Sequence, residues 1–103
     1  MKVIEEVYSN EKLIGYWAKC PGCGFGHVLY TNYADHPNWS FDGNMEKPTF
    51  SPSLLVNGPE QAKVKRRCHS FIRNGQWQFL NDCTHELKGK TVDMLPVGND
   101  DED

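Results

Sequence analysis

Cys68-His69-Ser70-Phe71-Ile72-Arg73-Asn74-Gly75-Gln76-Trp77-Gln78-Phe79-Leu80-Asn81-Asp82-Cys83 is the stretch on which the fold turns. Asn-Gly between two runs rich in β-branched and aromatic residues is the strongest short-range hairpin signal, because both central positions of the turn want positive φ. A two-residue loop fixes the register. Arg73 faces Gln76, Ile72 faces Trp77, Ser70 faces Phe79 and Cys68 faces Asn81. Side chains alternate along a strand. Cys68, Ser70, Ile72, Trp77, Phe79, Asn81 and Cys83 therefore share the more apolar face, expected to be the core. His69, Phe71, Arg73, Gln78, Leu80 and Asp82 share the other face. A slip of one residue would destroy both groupings.

The hairpin brings Cys68 and Cys83 to one end of one face. Upstream, Cys20-Pro21-Gly22-Cys23-Gly24 has the form of a zinc knuckle, a C-x2-C turn that aims two thiolates at one tetrahedral ion. A closed site needs two more ligands. Cys68 and Cys83 are the expected pair, with His27, His69 and His85 as alternates, and Zn2+ is the expected cofactor. A redox pair would call for a βαβ pattern around C-x2-C, which is not there. His36, before Pro37, reads as a surface residue. His69 and Asp82 fall together on the face opposite the cysteines. A His beside an Asp is how an imidazole is oriented, in catalysis or around a metal. The plainer reading has Asp82 or Thr84 capping a turn from Thr84 to Lys88, stopped by Gly89.

Outward from these motifs the chain reads as strand and turn. Val3–Tyr8 and Leu13–Ala18 are strand-like around Ser9-Asn10-Glu11-Lys12, and Val28–Tyr33 is a third run. Trp39-Ser40-Phe41 leads into the turn Asp42-Gly43-Asn44. Lys47–Ser53, with Pro48 and Pro52, is expected as an extended edge or surface arm. Leu54-Leu55-Val56 is a short strand. Residues 1–97 are thus expected to be a single zinc-binding β domain, mainly β with little helix: a small zinc-stapled antiparallel sheet, zinc-ribbon-like. Residues 98–103 are expected as a disordered acidic tail.

The chain has 103 residues, 38% of them hydrophobic and 24% charged, which fits one small globular domain and excludes a coiled coil or a repeat array. Eleven Lys and Arg oppose 14 Asp and Glu, but Asp100, Asp101, Glu102 and Asp103 close the chain, so the body is near neutral. That is not the footprint of a dedicated nucleic-acid binder. No run is long enough to span a bilayer. Glu5 and Glu6 stand where a signal peptide needs apolar residues. The expected location is cytoplasmic, where thiols stay reduced and four cysteines suit a metal better than disulfides.

Cys20–Gly24, Glu46–Ser53, Cys68–Ile72, Asp82–His85 and Gly89-Lys90-Thr91-Val92 together resemble a family of small phage and prophage proteins rich in Cys and His, some of which carry the label ammonia monooxygenase. The resemblance covers roughly Tyr16 to Leu95. It implies a phage context, in an infected or lysogenic bacterial host, and a shared Cys/His cluster. It implies no chemistry, and the label does not suit a chain without a membrane span whose ligands are thiols. Three functions compete. The first is a non-catalytic zinc-stapled protein that binds a host macromolecule or small ligand, as in counter-defence. The second is a small zinc-dependent hydrolase using His69, Asp82 and His85. The third is a nucleic-acid module using Lys63, Lys65, Arg66 and Arg67. Four cysteines can saturate one tetrahedral ion, which favours the first.

Overall fold

The Asn74-Gly75 turn forms as its dipeptide dictates, with φ of 51° and 76°. In a computed structural model, which describes residues 1–58 and 66–97, it joins two of eight strands. These are β1 (Glu5–Ser9), β2 (Lys12–Lys19), β3 (Gly26–Tyr30), β4 (Ser40–Phe41), β5 (Phe50–Asn57), β6 (Arg67–Arg73), β7 (Gln76–Phe79) and β8 (Thr91–Asp93). All pairings are antiparallel, in a three-stranded sheet β1-β2-β3 and a five-stranded sheet β4-β5-β6-β7-β8. No helix occurs among the described residues. Both the tail 98–103 and Lys63 and Lys65 of the basic run lie outside those residues.

The register of β6 on β7 is the one the turn specifies: Ser70 opposite Phe79, Ile72 opposite Trp77, Arg73 opposite Gln76. Cys68, Ser70, Ile72, Trp77 and Phe79 are buried, and His69 and Phe71 are half-buried on the opposite face. Burying the stacked rings of Trp77 and Phe79, 5.7 Å apart, is worth on the order of 1.5–3 kcal/mol per side chain. The first hairpin also forms at its polar turn, where Asn10 and Glu11 take φ of 51° and 67°. Asn tolerates this left-handed region better than most residues.

One core lies between the sheets. Ile4, Tyr16, Ala18 and Leu29 come from the first side, and Phe50, Leu54, Ile72, Trp77 and Phe79 from the second. Tyr16 closes the junction, its ring 4.6 Å from Phe41 and 6.1 Å from Phe50.

The structure corrects the sequence in three places. The third strand is Gly26–Tyr30, earlier than Val28–Tyr33. β8 had no expected counterpart; it pairs Gln78 with Thr91 and Trp77 with Val92. Most consequential, the proline-bearing arm belongs to the five-stranded sheet. β5 spans Phe50 to Asn57, between β4 and β6. Pro52 is accommodated because the ladder breaks there. Phe50 pairs with Ile72 and Leu54 with Ser70, so four steps along β5 match two along β6. The extra residues form a bulge containing the cis Ser51–Pro52 peptide. A proline lacks the ladder N–H, and a bulge is where a sheet tolerates it.

Candidate metal centre and catalytic triad

The knuckle forms between β2 and β3. Gly24 N–H bonds to Cys20 O at 2.9 Å, Cys20 N–H bonds to Phe25 O at 3.0 Å, and Cys23 N–H donates to Cys20 Sγ at 3.4 Å. Gly24 turns the chain with φ of 83°. Cys68 approaches from β6 in the other sheet. The Sγ atoms of Cys20 and Cys68 are 3.7 Å apart, too far for a disulfide, and all four cysteines are free. With zinc–sulfur bonds of about 2.3 Å, two thiolates on one tetrahedral ion stand about 3.8 Å apart. The pair matches a tetrahedron edge.

The fourth member is His85. Its ring nitrogens, Cys20 Sγ, Cys23 Sγ and Cys68 Sγ supply one atom each, all within 4.8 Å of one another. His85 Nε2 is buried with no protein partner among the described residues. Gly22 makes room for the ring, since a Cβ there would run into the imidazole. These four residues could hold a metal ion. Cys83, expected as the fourth ligand, lies outside the group: its Sγ accepts from His69 N–H at 3.2 Å and donates to His69 O at 3.1 Å. β7 stops at Phe79, and the chain turns through Asn81 and Asp82 instead of extending. That turn presents Cys83 to the β6 backbone and carries His85 to the thiols. His27 is buried against Phe25 and Trp77, outside the group. It lies near enough to Cys20 to favour its thiolate.

The three thiols differ. The Cys68 hydrogen bond holds Cys20 down at about 4 against its burial, with His27 and the Cys23 and Gly22 N–H groups assisting. Burial and the Cys20 charge push Cys23 up to about 11. Cys68 is raised, first by its bond to Cys20 and then by burial. The shifts favour ionisation of Cys20 ahead of Cys23 and Cys68, and binding of an ion by all three displaces the protons that remain.

A second constellation occupies the opposite face of β6. His69 Nδ1 lies 3.1 Å from Asp82 Oδ2, and His69 Nε2 lies 3.2 Å from Ser53 Oγ. A carboxylate only accepts, so Nδ1 carries the proton and Nε2 accepts from the Ser53 hydroxyl. The His69 hydrogen bond keeps Asp82 below the usual carboxylate range, assisted by Arg67, whose guanidinium is 3.5 Å away. The side chains of His69 and Asp82 are 25% and 41% exposed, open to a substrate. This is the geometry of a Ser-His-Asp triad.

The β5 bulge creates it. Leu54 points into the core, so Ser53 lies with Leu55 on the open face, beside His69, which pairs with Leu55. Trp39 Nε1 donates to Ser53 O at 3.3 Å and pins the bulge. The sequence paired His69 with Asp82 correctly but missed Ser53, whose only signal was Pro52 immediately before it in an otherwise strand-like run. The capping expectations fail: Thr84 Oγ1 bonds to the Arg67 backbone, and Asp82 bonds to His69. Gly89 does stop the turn, with φ of 74°.

The model of the family described as Bacterial ubiquitination-like system serine protease (BubE) matches residues 2–80. This chain belongs to that family. No curated protein matches it, and no solved structure does. The BubE match takes in Ser53 and His69 and ends two residues before Asp82. It names a bacterial system, and nothing in it speaks to the phage origin expected from the sequence.

Proposed function

We propose that this chain is a serine protease in which Ser53 is the nucleophile, His69 the general base and acid, and Asp82 the carboxylate that orients and charges the imidazole. One observation carries the reading: the unbroken line Ser53 Oγ, His69 Nε2, His69 Nδ1, Asp82 Oδ2, with links of 3.2 and 3.1 Å. Ser53 Oγ attacks the acyl carbon as its proton passes to His69 Nε2. Asp82, ionised, stabilises the imidazolium that results. His69 then gives that proton to the departing amine or alkoxide, leaving the acyl group as an ester on Ser53. Water, deprotonated by His69, hydrolyses the ester, and the proton returns to Ser53. The family description supports a peptide or protein acyl bond within a bacterial ubiquitination-like system as the substrate.

The Cys20, Cys23, Cys68 and His85 group is proposed as a structural Zn2+ site. Three thiolates and one imidazole suit zinc, and four protein ligands fill a tetrahedron without leaving a place for water. It joins the knuckle of one sheet to β6 of the other. The free thiols also support a cytoplasmic setting. Among the described residues no helix is long and apolar enough to cross a membrane. A non-catalytic host-binding role, preferred on ligand arithmetic alone, loses its premise: the saturated metal and the triad use different residues.

A fluorophosphonate probe, which phosphonylates an activated serine with loss of fluoride, tests the reading. Zinc-loaded protein should be labelled at Ser53, as mapped by peptide mass spectrometry, and Ser53→Ala should not be labelled. Folded, zinc-loaded wild type that takes no label, or takes it on another serine, would overturn the assignment.

A further inference from the structure

β7 ends at Phe79, yet β6 continues back to Arg67. The backbone groups of His69 and Arg67 that face β7 would be left without a strand partner. The segment Leu80–Thr84 supplies partners in their place. Leu80 N–H bonds to His69 O at 2.9 Å. The Cys83 thiol takes His69 N–H at 3.2 Å and returns its own proton to His69 O at 3.1 Å. Thr84 repeats the arrangement on Arg67: its Oγ1 accepts Arg67 N–H at 2.9 Å, and its N–H bonds to Arg67 O at 2.9 Å. A thiol and a hydroxyl thus extend the ladder where β7 has stopped.

We propose that Cys83 is a positioning residue of the triad, its buried thiol holding the backbone of His69 so that the imidazole bridges Ser53 and Asp82. The inference rests on the serine hydrolase reading above. Both backbone groups of His69 are bonded to the Cys83 thiol, N–H at 3.2 Å and O at 3.1 Å. Without the thiol, both bonds are lost and β6 can shift at the residue that carries the base. Asp82 is the adjacent residue, so the same thiol fixes the carboxylate's attachment point. Two links of the triad thereby depend on one side chain that touches neither the hydroxyl nor the substrate. Displacing a catalytic group by about 1 Å costs on the order of a hundredfold in rate.

The test compares Cys83→Ala, Cys83→Val and Cys83→Ser as full-length, metal-loaded chains. Two readouts are taken: the rate of fluorophosphonate labelling of Ser53, and the sulfur-to-cobalt charge-transfer band after loading with Co2+. Cys83→Val fills the volume of the thiol with no polar atom, and Cys83→Ser restores a donor and an acceptor. The expected result is labelling slowed at least about tenfold in the Ala and Val variants, by misplacement of the base. Cys83→Ser should stay within about threefold of wild type, because it keeps both bonds. The cobalt band should be unchanged in all three. Wild-type labelling rates in a folded Ala or Val variant would reduce Cys83 to packing and overturn the proposal. A cobalt band lost as in Cys20→Ser would make Cys83 a ligand and overturn it equally. If neither apolar variant folds, Cys83→Ser decides: a rate tenfold below wild type in the folded, cobalt-loaded protein refutes the clamp, and a rate within threefold supports it. Wild type that takes no label would instead sink the triad reading, and this inference with it.

Discussion

The candidate metal centre and the Ser53-His69-Asp82 line stand back to back on β6, and each draws on the same two segments. Cys68 and His85 serve the one, His69 and Asp82 the other. Only the third contributor differs, the knuckle in one case and the β5 bulge in the other. The alternation of a strand separates them, since adjacent residues point to opposite faces. Their chemistry diverges accordingly. Cys20 and Cys68 are buried, and the cluster offers four donor atoms within 4.8 Å of one another. The triad is more open: Ser53 and His69 are half-buried and Asp82 is exposed. Closed coordination stabilises a fold, whereas an open hydrogen-bonded line can act on something that arrives. The same local sequence therefore contributes to the metal-capable cluster and to the hydrogen-bonded line without either using the other's atoms.

The sharpest way to break this comparison is to remove one side at a time. Ser53→Ala should lower acyl hydrolysis and probe labelling by at least about a thousandfold, since triad members act as a unit. Metal content, by elemental analysis, and melting temperature should stay as in wild type. Loss of metal in this variant would show that the two sites are one.

Asp82→Asn should cost about 10²–10⁴-fold in labelling rate, because an amide can no longer hold the imidazole in the working tautomer. Rates measured against probe concentration check it, and retained metal is the control.

On the other face, Cys20→Ser, Cys68→Ser or His85→Ala should release the metal. Each should lower the melting temperature by more than about 10 °C, as a lost structural site removes folding free energy directly. Calorimetry with metal analysis on the same samples decides it. Cys83→Ala should keep about one metal ion per chain, as expected of a residue outside the tetrahedral ligand set. That separates the set Cys20, Cys23, Cys68 and His85 from the four-cysteine set.

A smaller effect concerns pH. Asp82 is held below its ordinary value by His69 and then Arg67, so its folded pKa lies under the unfolded one. The stability it contributes is present above the unfolded pKa of about 3.9 and is lost as pH falls through the folded value. The difference in melting temperature between wild type and Asp82→Asn should therefore shrink as pH drops from 5 towards 2.5. A constant difference would mean that the carboxylate's charge does not matter to the pair.

The smallest expected change is also the most local. Leu87 N–H donates to His85 Nδ1 at 3.2 Å. A metal on Nδ1 would take the lone pair that accepts this bond. A metal on Nε2 would leave the proton on Nδ1, which then cannot accept. Either mode of ligation breaks the bond, so the Leu87 amide resonance should shift on titration with Zn2+ and lose protection from hydrogen exchange. An unmoved resonance would remove His85 from the ligand set.

What the sequence determined by itself was what local chemistry enforces. Asn74-Gly75 admits one turn, and that turn sets the register and the buried face. Cys20-Pro21-Gly22-Cys23-Gly24 makes a knuckle for the same reason, its glycines allowing the backbone to wrap the sulfurs. Tertiary structure alone decided the rest. The counting that put Cys83 beside Cys68 assumed that β7 would run on, but the chain turns after Phe79 and delivers His85 to the thiols. Ser53 could not be seen as a nucleophile because no local pattern links it to His69, 16 residues away. The link exists only because Pro52 interrupts the β5 ladder and the resulting bulge places a hydroxyl on the open face of a strand two registers along. Local rules fix turns and alternation. Which distant side chains meet depends on where strands stop and where they bulge, and those are set by packing of the whole.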